Sequence, residues 1–120
     1  MLVLAVVILA VILSAPPASQ FFIIAHVYDS PTQYTSFENI PVADLVKNVT
    51  ITATGPKDFG DTTPTGILQP TFQVPGGTYA IKAEKPGYQT TTVNYMVGPN
   101  CDGKDQNGIC HALVRILKTL

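Results

Sequence analysis

The sequence predicts a mainly β protein: a single antiparallel sandwich of about seven strands behind a short apolar N-terminal helix. Three observations predict it. The segments NVTITAT (residues 48–54) and TYAIKAE (78–84) alternate apolar and polar positions with the period of two that a half-buried strand requires. Ten prolines and nine glycines punctuate a body rich in Thr, Val and Tyr, the composition of short strands joined by tight turns. Residues 1–28 contain no Lys, Arg, Asp or Glu, and the first formal charge is Asp29.

That uncharged opening sets the main functional question. Leaving so much apolar surface in water costs roughly 25 cal/mol per Å², so lipid or other copies of the chain must cover it. Pro16 and Pro17 lack a backbone N–H, so a helix starting near Met1 stops or kinks around residues 13–14. The chain therefore divides into an apolar helix with a Pro-rich break (1–19) and a sandwich domain (20–120). A secretory signal peptide would share the apolar run and the small residues SAPPAS, but nothing basic precedes the run. A bilayer-spanning helix needs about 20 apolar residues, more than the uninterrupted stretch offers. The third reading, adopted here, is a helix that packs with its counterparts in other copies through Leu2, Leu4, Val7, Ile8, Val11 and Ile12, after contact with a membrane before assembly.

In this arrangement residues 1–14 resemble the N-termini of archaeal type IV pilins and related surface filament subunits, in which an apolar helix precedes a β-rich head. The helix here is shorter, and no acidic residue sits near its start as in many bacterial pilins.

The body follows in order. Residues 21–28, FFIIAHVY, form a strand apolar on both faces, including Phe21, Phe22, Ile23 and Ile24, so something must lie over its second face. A polar loop follows, then an irregular edge or short strand over residues 38–47. In residues 48–54, Val49, Ile51 and Ala53 point inward. Residues 55–66 read as a long turn-rich connection, and residues 67–74 as a strand interrupted at Pro70, with Phe72 and Val74 inside. Pro75-Gly76-Gly77 turns the chain into residues 78–84, which bury Tyr79, Ile81 and Ala83. Lys85-Pro86-Gly87 carries Pro and Gly where a type II turn wants them. Residues 89–97 place Val93, Tyr95 and Val97 on one face. The last strand, from Ala112, lines one face with Ala112, Val114 and Ile116 and the other with Leu113 and Leu117.

Residues 48–95 resemble the carboxypeptidase regulatory-like and Cna-B domains. The likeness is carried by VTITATG (49–55), Thr65-Gly66 before a strand, and VPGGTYAIKAEKPGYQTTTV (74–93). It implies an Ig-like, prealbumin-like sandwich serving as a stalk, adhesin or accessory module and not as a catalyst.

Composition narrows the function further. The net charge is −1 and only 12% of residues are charged, against about 25% in typical soluble domains, so no basic face exists for nucleic acid. Cys101 and Cys110 enclose CDGKDQNGIC, the pattern of a disulfide-closed loop in an oxidising compartment. A zinc site from these cysteines with His26 and His111 matches no common spacing. Asp102, Asp105 and Asn107 offer oxygens but lack the alternation and closing Glu of a calcium loop. Asn48-Val49-Thr50 is an N-glycosylation sequon. His26 and His111 are the only histidines and show no triad order. His26, on an apolar strand, reads as a hydrogen-bonded interface or core residue.

The expectation is a non-enzymatic, cofactor-free structural subunit of an extracellular, cell-surface filament. It would polymerise with copies of itself through the front end and the two-faced strands (Phe21, Phe22, Ile23, Ile24, Leu113, Leu117), and its outer wall would meet a host surface or neighbouring filaments. The alternative from a different class is a secreted or membrane-anchored binding module.

Overall fold

A computed structural model describes residues 19–119. The run containing Leu2, Leu4, Val7, Ile8, Val11 and Ile12, expected to be the N-terminal helix, lies outside the described residues. Those described are mainly β, in strands β1 (Gln20–Phe21), β2 (Ile23–Tyr28), β3 (Val49–Thr54), β4 (Phe59–Thr63) and β5 (Ile67–Leu68), followed by β6 (Val74–Pro75), β7 (Gly77–Glu84), β8 (Thr91–Val97) and β9 (Cys110–Arg115).

The alternating segments form the centre of the largest sheet. Its order is β4-β3-β7-β8, antiparallel throughout, with Ile51 opposite Ala83 and Tyr79 opposite Tyr95. Val49, Ile51 and Ala53 of β3 and Tyr79, Ile81 and Ala83 of β7 are fully buried, as the period of two requires. Gly87, at φ 85°, makes the turn between β7 and β8, closed by the Tyr88 N–H donating to the Lys85 carbonyl at 3.0 Å. On the solvent face Lys82 and Glu84 pair at 3.3 Å.

The second sheet has the order β5-β2-β9 and departs from the antiparallel expectation. β2 and β9 run parallel, from Ile23 opposite Cys110 to Tyr28 opposite Arg115. Their composition suits that pairing. Parallel strands are covered on both faces and read as near-continuous apolar runs, and these are the two strands of the chain with that pattern. One face of the pair (Ile23, Ala25, Val27, Ala112, Val114, Ile116) joins β3 and β7 in a single buried cluster. Each large side chain there contributes about 1.5–3 kcal/mol by leaving water.

Three local expectations are corrected. The connection between β3 and β5 contains β4, FGDTT, which has no apolar alternation because it is an edge strand with Gly60, Asp61 and Thr62 all exposed. Phe72 faces outward, since Pro70 ends the ladder. Its ring meets Phe59 edge-on at 6.2 Å and carries the Lys57 ammonium 4.1 Å above its centre. The irregular stretch after β2 forms two 3-10 turns, Phe37–Asn39 and Val42–Asp44, and not a strand.

Candidate functional site

The face of β2 that turns away from the core gathers the buried polar chemistry of the described residues. Residues 29–48 leave β2, pass through the two 3-10 turns and fold back over that face. They are fastened by Val46 N–H to the Val27 carbonyl (3.0 Å) and Asp29 N–H to the Asp44 carbonyl (2.9 Å). From β9, Arg115 donates to the carbonyls of Ser30 (2.8 Å) and Pro31 (3.1 Å). The Tyr28 hydroxyl accepts from the Tyr34 N–H at 2.9 Å, while Tyr34 donates to Asp44 Oδ2 at 2.7 Å. The cover expected over the second face of β2 is thus supplied, at His26 and Tyr28, by the chain itself.

Beneath this cover lies a relay of three titratable side chains. In the parallel register His111 sits opposite Ile24, and His26 is its diagonal neighbour on the same face. His26 Nε2 lies 2.8 Å from His111 Nδ1, and His111 Nε2 lies 2.9 Å from Asp105 Oδ2. The carboxylate only accepts, so His111 donates from Nε2; with His111 neutral, its Nδ1 accepts the Nε2–H of His26. Phe37 stacks on His111 with ring centres 3.6 Å apart and planes at 8°. His26, 7% exposed, has its pKa pushed down to about 4, first by burial and then by the neighbouring His111. The hydrogen bond from His111, aided by the Ile109 N–H, holds the Asp105 carboxyl below its ordinary value.

The Cys101–Cys110 disulfide, with Cα atoms 5.8 Å apart, closes the loop that presents Asp105. Both sulfurs are therefore committed to each other and offer no thiolate for zinc. Asp105 is committed as well: its Oδ1 accepts from the N–H groups of Asn107 (2.8 Å) and Ile109 (3.0 Å), so its carboxylate organises the loop. Among the described residues no group of three or more His, Cys, Asp or Glu is arranged to hold a metal ion.

A cleft of about 410 Å³ opens beside the relay, walled by Tyr34, Phe37, Tyr95, Asp102, His111 and Leu113. The Tyr95 hydroxyl donates to the Asp102 carbonyl, and burial, reinforced by the Asp102 charge, raises its pKa well above the usual phenol value. Both ring nitrogens of His111 are engaged, by His26 and by Asp105, and the relay engages Nε2 of His26. Among the described residues no hydroxyl or thiol is hydrogen-bonded to His26 or His111. The arrangement fastens β2, β9, the disulfide loop and the covering segment together.

The other sequence-expected positions are dispersed. Asn48 is exposed and, at φ 56°, is the one non-glycine residue among those described in the left-handed region, which Asn tolerates. Ile23 belongs to the core and Ile24 and Leu113 are half-buried, whereas Phe22 (43%) and Leu117 (41%) stay open to solvent. Phe21 borders a shallow apolar cleft of about 540 Å³ with Ser19, Gly76, Val97 and Pro99, at the end of the body where residue 19 enters. Sequence reasoning missed Phe37 and the role of Asp105. His26 and His111 are 85 positions apart, and only their shared two-faced pattern hints that they meet.

No protein-family model matches the chain, and no curated protein matches it in sequence.

Proposed function

We propose that the chain is the repeating structural subunit of an extracellular filament. The uncharged front end of each copy would be covered by its neighbours, and a prealbumin-like sandwich body would form the outer wall. The observation that carries this reading is the absence of any Lys, Arg, Asp or Glu over residues 1–28. Phe22 and the cleft bordered by Phe21 and Val97 support it, because they leave apolar surface open at the end of the body where residue 19 enters. A single disulfide and a low charge content suit an assembly outside the reducing cytosol. The partners are copies of the chain in a homopolymer, with membrane contact before assembly and a host surface or neighbouring filaments as outer contacts. The resemblances to pilin N-termini and to carboxypeptidase regulatory-like and Cna-B modules point the same way and assign no catalysis.

Purification of the full chain without detergent, followed by sedimentation and electron microscopy, tests the reading. Filaments of uniform width are expected. Monodisperse particles, or material soluble only in detergent, would remove it. A second reading, an adhesion or binding module, is favoured by one observation: the aromatic cleft of Tyr34, Phe37 and Tyr95. Monodisperse particles would leave that reading in place.

A further inference from the structure

We infer that Asn107 is a site of self-modification, a deamidation driven by the Gly108 backbone nitrogen and held in check by Asp105 and the disulfide-closed loop. Asn107-Gly108 is the one Asn-Gly pair in the chain. Glycine has no Cβ, so its nitrogen can come close to the side chain that precedes it. Both residues are exposed, and a Cβ at Gly108 would meet nothing within 4 Å. The Asn107 side-chain amide makes no hydrogen bond among the described residues. The group to be attacked is therefore open.

The attacking nitrogen is not. Asp105–Gly108 is a turn closed by the Gly108 N–H, which donates to the Asp105 carbonyl at 3.0 Å. Asp stands first and Gly fourth, as such turns prefer. The Asp105 carboxylate tightens it, because Oδ1 accepts from the N–H groups of Asn107 (2.8 Å) and Ile109 (3.0 Å). The Asp105 N–H in turn donates to the Ile109 carbonyl at 3.0 Å. Every backbone N–H from Asn107 to Ile109 is thus spent on Asp105, and the Cys101–Cys110 bond closes the ring around them. To react, the Gly108 nitrogen must leave the Asp105 carbonyl and swing to Asn107 Cγ, which opens the turn.

In that step the bond from the Gly108 nitrogen to Cγ forms and the Cγ–Nδ2 bond breaks. Nδ2 leaves as ammonia, carrying the proton that the Gly108 nitrogen sheds. Water then opens the cyclic imide at either carbonyl and leaves aspartate or isoaspartate at 107. Isoaspartate places the side-chain Cβ in the main chain, between the two N–H groups that Asp105 Oδ1 holds. Either product adds a negative charge to a loop that already carries Asp102 and Asp105. Asp105 Oδ2 is the acceptor for His111 Nε2, so the change reaches the relay. The reaction needs water and no second copy, so it stands apart from the filament reading.

The test is peptide mass spectrometry of the full chain during incubation at mildly alkaline pH, following the one-dalton gain at residue 107. The folded chain with its disulfide intact should react at least about tenfold more slowly than the chain unfolded in urea with a reductant, the worth of one hydrogen bond. Asp105→Ala in the folded chain should speed the reaction about three- to tenfold. Asp105→Asn, which keeps an oxygen for the two N–H groups, should remain slow. Hydrogen exchange at the Gly108 amide of the natural chain needs no variant and should be slower than in the unfolded chain. Equal deamidation rates in the folded and unfolded chains overturn the inference, as does an unfolded chain that stays unmodified at Asn107. So do a Gly108 amide that exchanges as freely as in the unfolded chain and an Asp105→Ala variant no faster than the natural chain.

Discussion

Lowering the pH should weaken the fold through His26, and the size of the effect follows from its surroundings. An imidazole with an ordinary pKa of 6.5 in the unfolded chain falls to about 4 when buried beside His111. The folded state therefore prefers the neutral form. The stability this group supports is fully present above pH 6.5 and drains away as pH falls from 6.5 towards 4. The unfolded chain takes up the proton first, so the loss reaches about 1 kcal/mol by pH 5.5 and about 2–3 kcal/mol by pH 4.5. Against a total of about 5–15 kcal/mol for a typical domain, that is a large share. Asp105 acts in the same direction but lower. Its pKa is depressed below 3.8, so its contribution persists above that value and disappears only as pH falls through the folded pKa. Urea unfolding at pH 7, 5.5 and 4.5, for the natural chain and His26→Gln, separates the two. The natural chain should lose stability over the upper window, and the variant should lose much less. Equal slopes for both, or a flat profile down to pH 4.5, would refute the assignment of a buried neutral imidazole.

Other outcomes follow from covalent and backbone geometry. Replacing both Cys101 and Cys110 by Ala should cost about 2–3 kcal/mol in urea unfolding, because a short closed loop is released in the unfolded chain. Gly66 and Gly87 share φ 85°, but a Cβ at Gly66 would lie 2.7 Å from the Val46 carbonyl oxygen, whereas nothing lies within 4 Å of one at Gly87. Gly87→Ala should therefore cost about 1–2 kcal/mol from backbone conformation alone. Gly66→Ala should cost measurably more, and equal losses in thermal or urea denaturation would contradict the packing described around Val46.

The strands with clean alternation were legible because a half-buried position reports itself locally. Val49, Ile51 and Ala53, like Tyr79, Ile81 and Ala83, needed only the period of two to be assigned to the core. The turn at Pro86-Gly87 was equally local, since proline and glycine restrict their own backbone angles. β4 was not legible: an edge strand held by backbone pairing to β3 carries no apolar signature. Phe72 misled for the opposite reason, because an apolar residue near a strand can rest on the surface against Phe59 and Lys57.

By itself the sequence determined the β-rich character of the body, the loop that the disulfide closes, and the uncharged front end, all of which follow from neighbouring residues. Only the tertiary structure decided that the two apolar-faced strands lie parallel to one another, that residues 29–48 cover their outer side, and that His26, His111 and Asp105 join into one relay. Those outcomes depend on which distant segments meet. Pairing between strands of any separation uses the same backbone hydrogen bonds, so nothing in a local stretch of residues specifies its partner.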